Sequence, residues 1–139
     1  MLKNLTALFI VIIMSSAALA EEPGAVCTGK KDGISKDYYE DGKLKTEWMC
    51  KNAQLNGITR LYYDNGEVEK ASSYIDDVRQ GITYGYFDNG AIKSICNYKD
   101  GKLDGMHKIY HKNGEVKEYT IYRDGVNQGD GDDDHHTSH

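Results

Sequence analysis

Gly57-Ile58-Thr59-Arg60-Leu61-Tyr62-Tyr63-Asp64-Asn65-Gly66-Glu67-Val68 is the stretch that decides the fold. Its first half is rich in β-branched and aromatic side chains and stops at Asp64-Asn65-Gly66. A second run, Glu67 to Tyr74, follows with partial alternation. Two short strands joined by an Asn-Gly turn read as a β-hairpin. A two-residue turn would set Tyr63 opposite Val68. A three-residue loop, with Gly66 as a bulge, sets Tyr62 opposite Val68. Only the second register gathers Ile58, Tyr62, Val68 and Tyr74 on one face, and a slip of one residue would send half of them to the other side. The three-residue loop is therefore expected.

The same pattern recurs outward in both directions every 24 residues without slippage. Gly33, Gly57, Gly81, Gly105 and Gly129 share one position, and Gly42, Gly66, Gly90 and Gly114 another. Four apolar columns run between them: Ile34/Ile58/Ile82/Met106, Tyr38/Tyr62/Tyr86/Tyr110, Leu44/Val68/Ile92/Val116 and Cys50/Tyr74/Tyr98/Tyr122. A fixed period of this size marks a stacked array in which each unit buries its apolar side against its neighbours. The expected fold is all-β, a single-layer antiparallel meander of stacked hairpins. Its units fall near 33–56, 57–80, 81–104 and 105–128. All four columns are expected on one face. The other face is expected to carry Tyr39, Tyr63, Phe87 and His111 with the charged column Lys45/Glu69/Lys93/Lys117. That second face grows apolar toward the C-terminus through Ile95, Ile109, Tyr119 and Ile121.

The ends read differently. Lys3, the apolar run Leu5 to Met14, and Ala18-Leu19-Ala20 form a secretory signal peptide over residues 1–20, with too short an apolar core to span a bilayer well. The repeat domain then occupies 21–128. Residues 129–139 form an Asp/His-rich tail expected to be disordered. The mature protein is expected in the periplasm or secreted, with no transmembrane segment. The whole chain carries a formal charge of −5, and four of its acids lie in the tail. The body is nearly neutral with interspersed signs. That excludes the basic stripe nucleic acid requires and disfavours docking on anionic lipid.

An oxidising compartment favours pairing among Cys27, Cys50 and Cys96. With Cys27 and Cys50 on equivalent strands of adjacent units, one strand lies between them, roughly 9–10 Å. A disulfide needs Cα atoms within about 7 Å. Regular geometry thus disfavours every pair, and Cys27–Cys50 is the least disfavoured if the N-terminal strand bends. Cys96 is expected to pack in the column Trp48/Ser72/Thr120.

Tyr62-Tyr63-Asp64-Asn65-Gly66-Glu67-Val68 and Tyr98-Lys99-Asp100-Gly101-Lys102-Leu103-Asp104-Gly105 resemble the bacterial variant of the MORN repeat, grouped with YwqK-type antitoxins. The resemblance covers residues 33–128, with a partial unit from about Val26. It implies a single-layer sheet of β-hairpins and no catalytic residues. The chain departs from the pattern at Ala53 and Asp77, where later units have glycine, and at His111, where the others have Tyr or Phe. The export signal departs from the cytoplasmic setting of an ordinary toxin–antitoxin pair.

No nucleophile elbow, phosphate loop, zinc-binding cysteine pair or metalloprotease helix occurs. Asp76-Asp77 lies in a turn, where Asp serves local hydrogen bonding. His107 and His111 share a face but stand roughly 13 Å apart, too far to share a metal. No cofactor or metal site is assigned. The tail histidines His135, His136 and His139 are the side chains that could take up zinc, copper or nickel. The tail is no EF-hand, because it lacks the glycine and final glutamate of that loop. The expected function is non-enzymatic: an exported module that binds another protein through its sheet, with an immunity or antitoxin-like role as the sharpest form. Phe87, Ile95, Ile109, His111, Tyr119 and Ile121 are the candidate partner-binding residues, with homodimerisation through the same surface as the alternative use. An envelope structural or lipid-surface role, or metal binding by the tail, are the competing classes.

Overall fold

The computed structural model describes residues 26–131. Eleven strands follow in chain order: β1 (Gly33–Tyr38), β2 (Leu44–Lys51), β3 (Gln54–Leu55), β4 (Gly57–Tyr62), β5 (Val68–Ile75), β6 (Val78–Arg79), β7 (Gly81–Tyr86), β8 (Ile92–Lys99), β9 (Lys102–Tyr110), β10 (Val116–Arg123) and β11 (Val126–Asp130). They form one antiparallel sheet. The long strands lie in the order β1-β2-β4-β5-β7-β8-β9-β10-β11, while the two-residue β3 and β6 pair with β2 and β5. Chain neighbours are sheet neighbours throughout, which is the expected meander.

The long hairpins close as the pattern requires. Tyr63 N–H donates to the Glu67 carbonyl at 2.8 Å, and Gly66 N–H returns to the Tyr63 carbonyl at 3.0 Å. The loop is thus Asp64-Asn65-Gly66, and Tyr62 faces Val68. Gly66 has φ of 87°, a value glycine adopts without steric cost. The opposite ends of the units use two-residue turns at Asn52-Ala53, Asp76-Asp77, Asp100-Gly101 and Asp124-Gly125. Both residues of each turn have positive φ, the geometry that matches the twist of flanking strands. These turns also lock one unit to the previous one. The N–H groups of Asp77, Gly101 and Gly125 donate to the carbonyls of Leu55, Arg79 and Leu103 at 3.0, 3.0 and 2.7 Å. Asn56 with Asp76, and Gln80 with Asp100, add reciprocal side-chain bonds across the same step.

One expectation about the faces is corrected. Tyr62 faces Val68, but Leu61 faces Lys70, so Glu69 is an extra residue opposite no partner. Lys45, Lys93 and Lys117 occupy the same bulge in the other hairpins. An extra residue reverses side-chain parity for the rest of the strand. The column Cys50/Tyr74/Tyr98/Tyr122 therefore lies on the face opposite the isoleucine, tyrosine and Leu44/Val68/Ile92/Val116 columns. We call these two surfaces the cysteine face and the isoleucine face.

Burial follows the split. Trp48, Cys50, Leu55, Ser72, Tyr74, Thr83 and Thr120 are all buried, and all lie on the cysteine face. A bulge occupies the same place in each of the four long hairpins, so the same columns change face in every unit.

The N-terminal segment differs from the regular strand assumed for it. Residues 26–29 form a turn. This brings Cys27 over the cysteine face, where it is bonded to Cys50 with a Cα–Cα distance of 5.6 Å. The strand that would have carried Cys27 on the far side of β1 is absent, while β1 itself is in place with Gly33 opposite Cys50. Cys27 is fully buried, and Val26 packs on the cluster of Trp48, Cys50, Leu55 and Tyr74. At the other end β11 runs to Asp130, and Thr120 pairs with Asp130. Gly129 and Asp130 thus belong to the sheet rather than to the tail. The expected signal peptide, residues 1–20, and the tail histidines lie outside the described residues.

Candidate functional site

The isoleucine face is built by alternation from both sides of each loop. Ile34, Ile58, Ile82 and Met106 begin its outgoing strands, and Tyr38, Tyr62, Tyr86 and Tyr110 end them. Leu44, Val68, Ile92 and Val116 face those tyrosines across the loop. Its apolar side chains stay open to solvent: Ile34 is 60% exposed, Ile58 47% and Ile82 44%. Eleven large apolar residues are exposed among those described, and all but Leu61 lie on this face or along its margin.

The face is not uniform along the array. Near the N-terminal end Glu47 holds Lys36 at 3.7 Å and Arg60 at 3.2 Å, which puts paired charges among the apolar columns. In the third unit the charged side chain on this face, Lys99, lies at the far end of β8. Ile82, Tyr84, Tyr86, Ile92 and Ile95 form a continuous strip, with the Tyr84 and Tyr86 rings stacked at 6.2 Å. The fourth unit extends it through Tyr119 and Ile121. Lys108 lies 4.3 Å from the Tyr119 ring centroid, a cation–π contact.

The six candidate residues are divided by the bulges. Ile95, Tyr119 and Ile121 come together on the isoleucine face. Ile109 faces Ser94 on the cysteine face. Phe87 and His111 sit beside the loops on that same face. Their column ties one unit to the next. The Tyr39 and Tyr63 hydroxyls donate to the carbonyls of Tyr62 and Tyr86, one unit onward, at 2.6 and 2.7 Å. Phe87 has no hydroxyl, and its ring lies between the ammonium groups of Lys93 and Lys112 at 5.8 and 5.6 Å. Sequence reasoning missed the isoleucine, tyrosine and Leu44/Val68/Ile92/Val116 columns as a binding surface by assigning them to the buried side. The charged column Lys45/Glu69/Lys93/Lys117 follows an apolar column as ordinary alternation would have it, so it gave no signal of the bulge.

The cysteine face is mostly small and polar. Thr83 donates to Ser72 at 3.3 Å between buried hydroxyls. Cys96 is unpaired and lies between Thr83 and His107, in the Trp48/Ser72/Thr120 column as expected. Burial pushes its thiol above the ordinary cysteine range. The His107 ring meets Tyr122 at 5.7 Å. No group of three or more metal-ligating side chains occurs among the described residues.

Four successive segments, 31–52, 55–76, 79–100 and 103–124, match the model of the MORN repeat variant, each starting 24 residues after the last. The chain belongs to the MORN repeat variant family. It is a repetitive all-β module of the protein–protein interaction type, structural and non-catalytic. No curated protein matches the chain. No helix among the described residues is long and apolar enough to cross a membrane.

Proposed function

We propose that this MORN-variant chain is exported to the periplasm or beyond, and that it binds another protein through its isoleucine face. One observation carries the reading: nearly all of the exposed large apolar side chains among the described residues lie on one side of a single-layer sheet or along its margin. An extended apolar surface rimmed by charge marks a protein contact on a soluble molecule. Rigid aromatic anchors such as Tyr84, Tyr86 and Tyr119 suit the centre of an interface, because they add area at little entropic cost. The sharper form of the proposal is an immunity or antitoxin-like role. The family resemblance suggests it, and the export signal directs it at a toxin acting in the envelope.

The test is affinity capture with residues 21–139 from an envelope extract, followed by mass spectrometry. One stoichiometric partner is expected, and it should be lost when Ile82 and Tyr119 are both replaced by lysine. A toxic hydrolase inhibited by the chain would establish the immunity role. A partner retained by the double variant, or none at all across a range of salt, would overturn the proposal.

A further inference from the structure

The repeat supplies its own control: a residue that only maintains the stack should match its column. On the cysteine face several residues depart from their columns, and three of the departures are neighbours. Lys70 stands where the other units have Thr46, Ser94 and Glu118. Arg79 stands where flanking units have Leu55 and Leu103. Gly85 stands where they have Leu61 and Ile109. Lys70 faces Gly85 directly, and Gly85 faces Ser94. Gly85 is not among the positive-φ glycines, so the backbone does not require it. It provides space, since a Cβ there would run into Ser94 Oγ. The result is an open cleft of about 220 Å³, lined on this face by Tyr63, Tyr98, Thr83 and Ser94.

The cleft is cationic in an acidic protein. Lys70 and Lys93 line it, opposed by Glu69 alone. Arg79 stands beside it, donating to the Tyr74 hydroxyl at 2.8 Å and lying 4.8 Å from the Tyr98 ring centroid. Neither Lys70 nor Arg79 has a carboxylate within ion-pair distance among the described residues. Burial, and then the charge of Arg79, hold the Lys70 ammonium below the usual lysine range. A half-buried ammonium without a counter-ion is costly, and an arriving anion recovers that cost.

We propose that this cleft binds a carboxylate carried by an acidic peptide segment, with Lys70 as the recognising charge and Arg79 as its support. The backbone amides of β5, β7 and β8 that meet in the sheet are engaged in its ladder, so there is no nest of free N–H groups of the kind phosphate sites use. An ammonium with the Ser94 hydroxyl suits a carboxylate instead, and the open cleft between the Tyr63 and Tyr98 rings accepts an extended chain. The site is on the opposite face from the isoleucine surface, so either assignment can fail alone.

The test is an NMR titration of residues 21–139 with the peptide Ser-Glu-Ser-Glu-Ser, its Gln counterpart, and inorganic phosphate. Lys70→Ser and Arg79→Leu serve as variants, because each installs the residue a neighbouring unit carries and preserves the fold. The glutamate peptide should shift the Gly85 and Ser94 amides saturably, more weakly at high salt. The Gln peptide should not. Lys70→Ser should weaken binding about tenfold or more, and Arg79→Leu less. Equal response to both peptides, binding of phosphate alone, or unchanged affinity in Lys70→Ser with its melting temperature preserved would each overturn the proposal.

Discussion

The two faces of this sheet are made by the same strands, yet they do opposite things. On the cysteine face Trp48, Cys50 and Tyr74 are buried and a disulfide fixes the N-terminal turn over them. On the isoleucine face, residues equally apolar in type remain about half exposed. A single-layer sheet has no second layer to cover both sides. Here the cysteine face is the covered side, and the isoleucine face is left open. Apolar composition alone therefore does not locate the core of an array like this one. The side to which the bulges turn each column does.

The strongest way to break the comparison is truncation at the centre of the covered face. Trp48 is 7% exposed, with Lys30 5.0 Å from its ring centroid. Trp48→Ala should cost about 3–5 kcal/mol in guanidinium denaturation, the range for emptying a buried aromatic site. A loss below about 1 kcal/mol would mean that the cysteine face is no core. Removing the Cys27–Cys50 bridge is the next largest change. It closes a loop of sequence separation 23, and its loss should cost about 3 kcal/mol. Because Cys96 is unpaired, the midpoint difference with and without reductant reports this bridge alone. An unchanged midpoint would show that the N-terminal turn is held by packing instead.

A turn belonging to neither face calibrates the scale. Ala53 has φ of 60°, where the third and fourth units place Gly101 and Gly125. Ala53→Gly should stabilise the protein by about 1 kcal/mol, the steric cost of a left-handed alanine. Asp77 has φ of 68° at the same position of the second unit, but its carboxylate accepts the Leu55 N–H at 2.7 Å. Asp77→Gly should therefore gain little or lose stability. Equal gains at both sites would show that this hydrogen bond contributes nothing.

The sequence made much of this visible. The period, the three-residue loop and the pairing of Tyr62 with Val68 follow from residues that turns and strands require. The bulge at Glu69 was not legible, because a single extra residue leaves the 24-residue period intact while exchanging the faces beyond it. Every column keeps its spacing, so a count of residues between Val68 and Tyr74 returns the wrong side. The Cys27–Cys50 bridge was hidden for a related reason: the distance argument assumed a strand where residues 26–29 turn. The Lys70, Arg79 and Gly85 cluster was open to inspection as three departures from their columns. It became a site only when the register set Lys70 against Gly85 and placed Arg79 beside Tyr74.

The smallest expected effect is the sharpest test of the difference between the faces. Ile58 sits mid-array and is 47% exposed. If the isoleucine face were a core, Ile58→Lys would bury an unpaired charge and unfold the unit, at several kcal/mol. If the face is open, the ammonium remains in water, and the change should cost about 0.5 kcal/mol, mostly lost strand propensity. The same variant should bind a protein partner of the isoleucine face much less well, because a charge at an apolar contact is desolvated without compensation. Near-native stability with lost binding separates what holds this sheet together from what it presents. A large stability loss would return the isoleucine column to the core and remove the basis for a binding face.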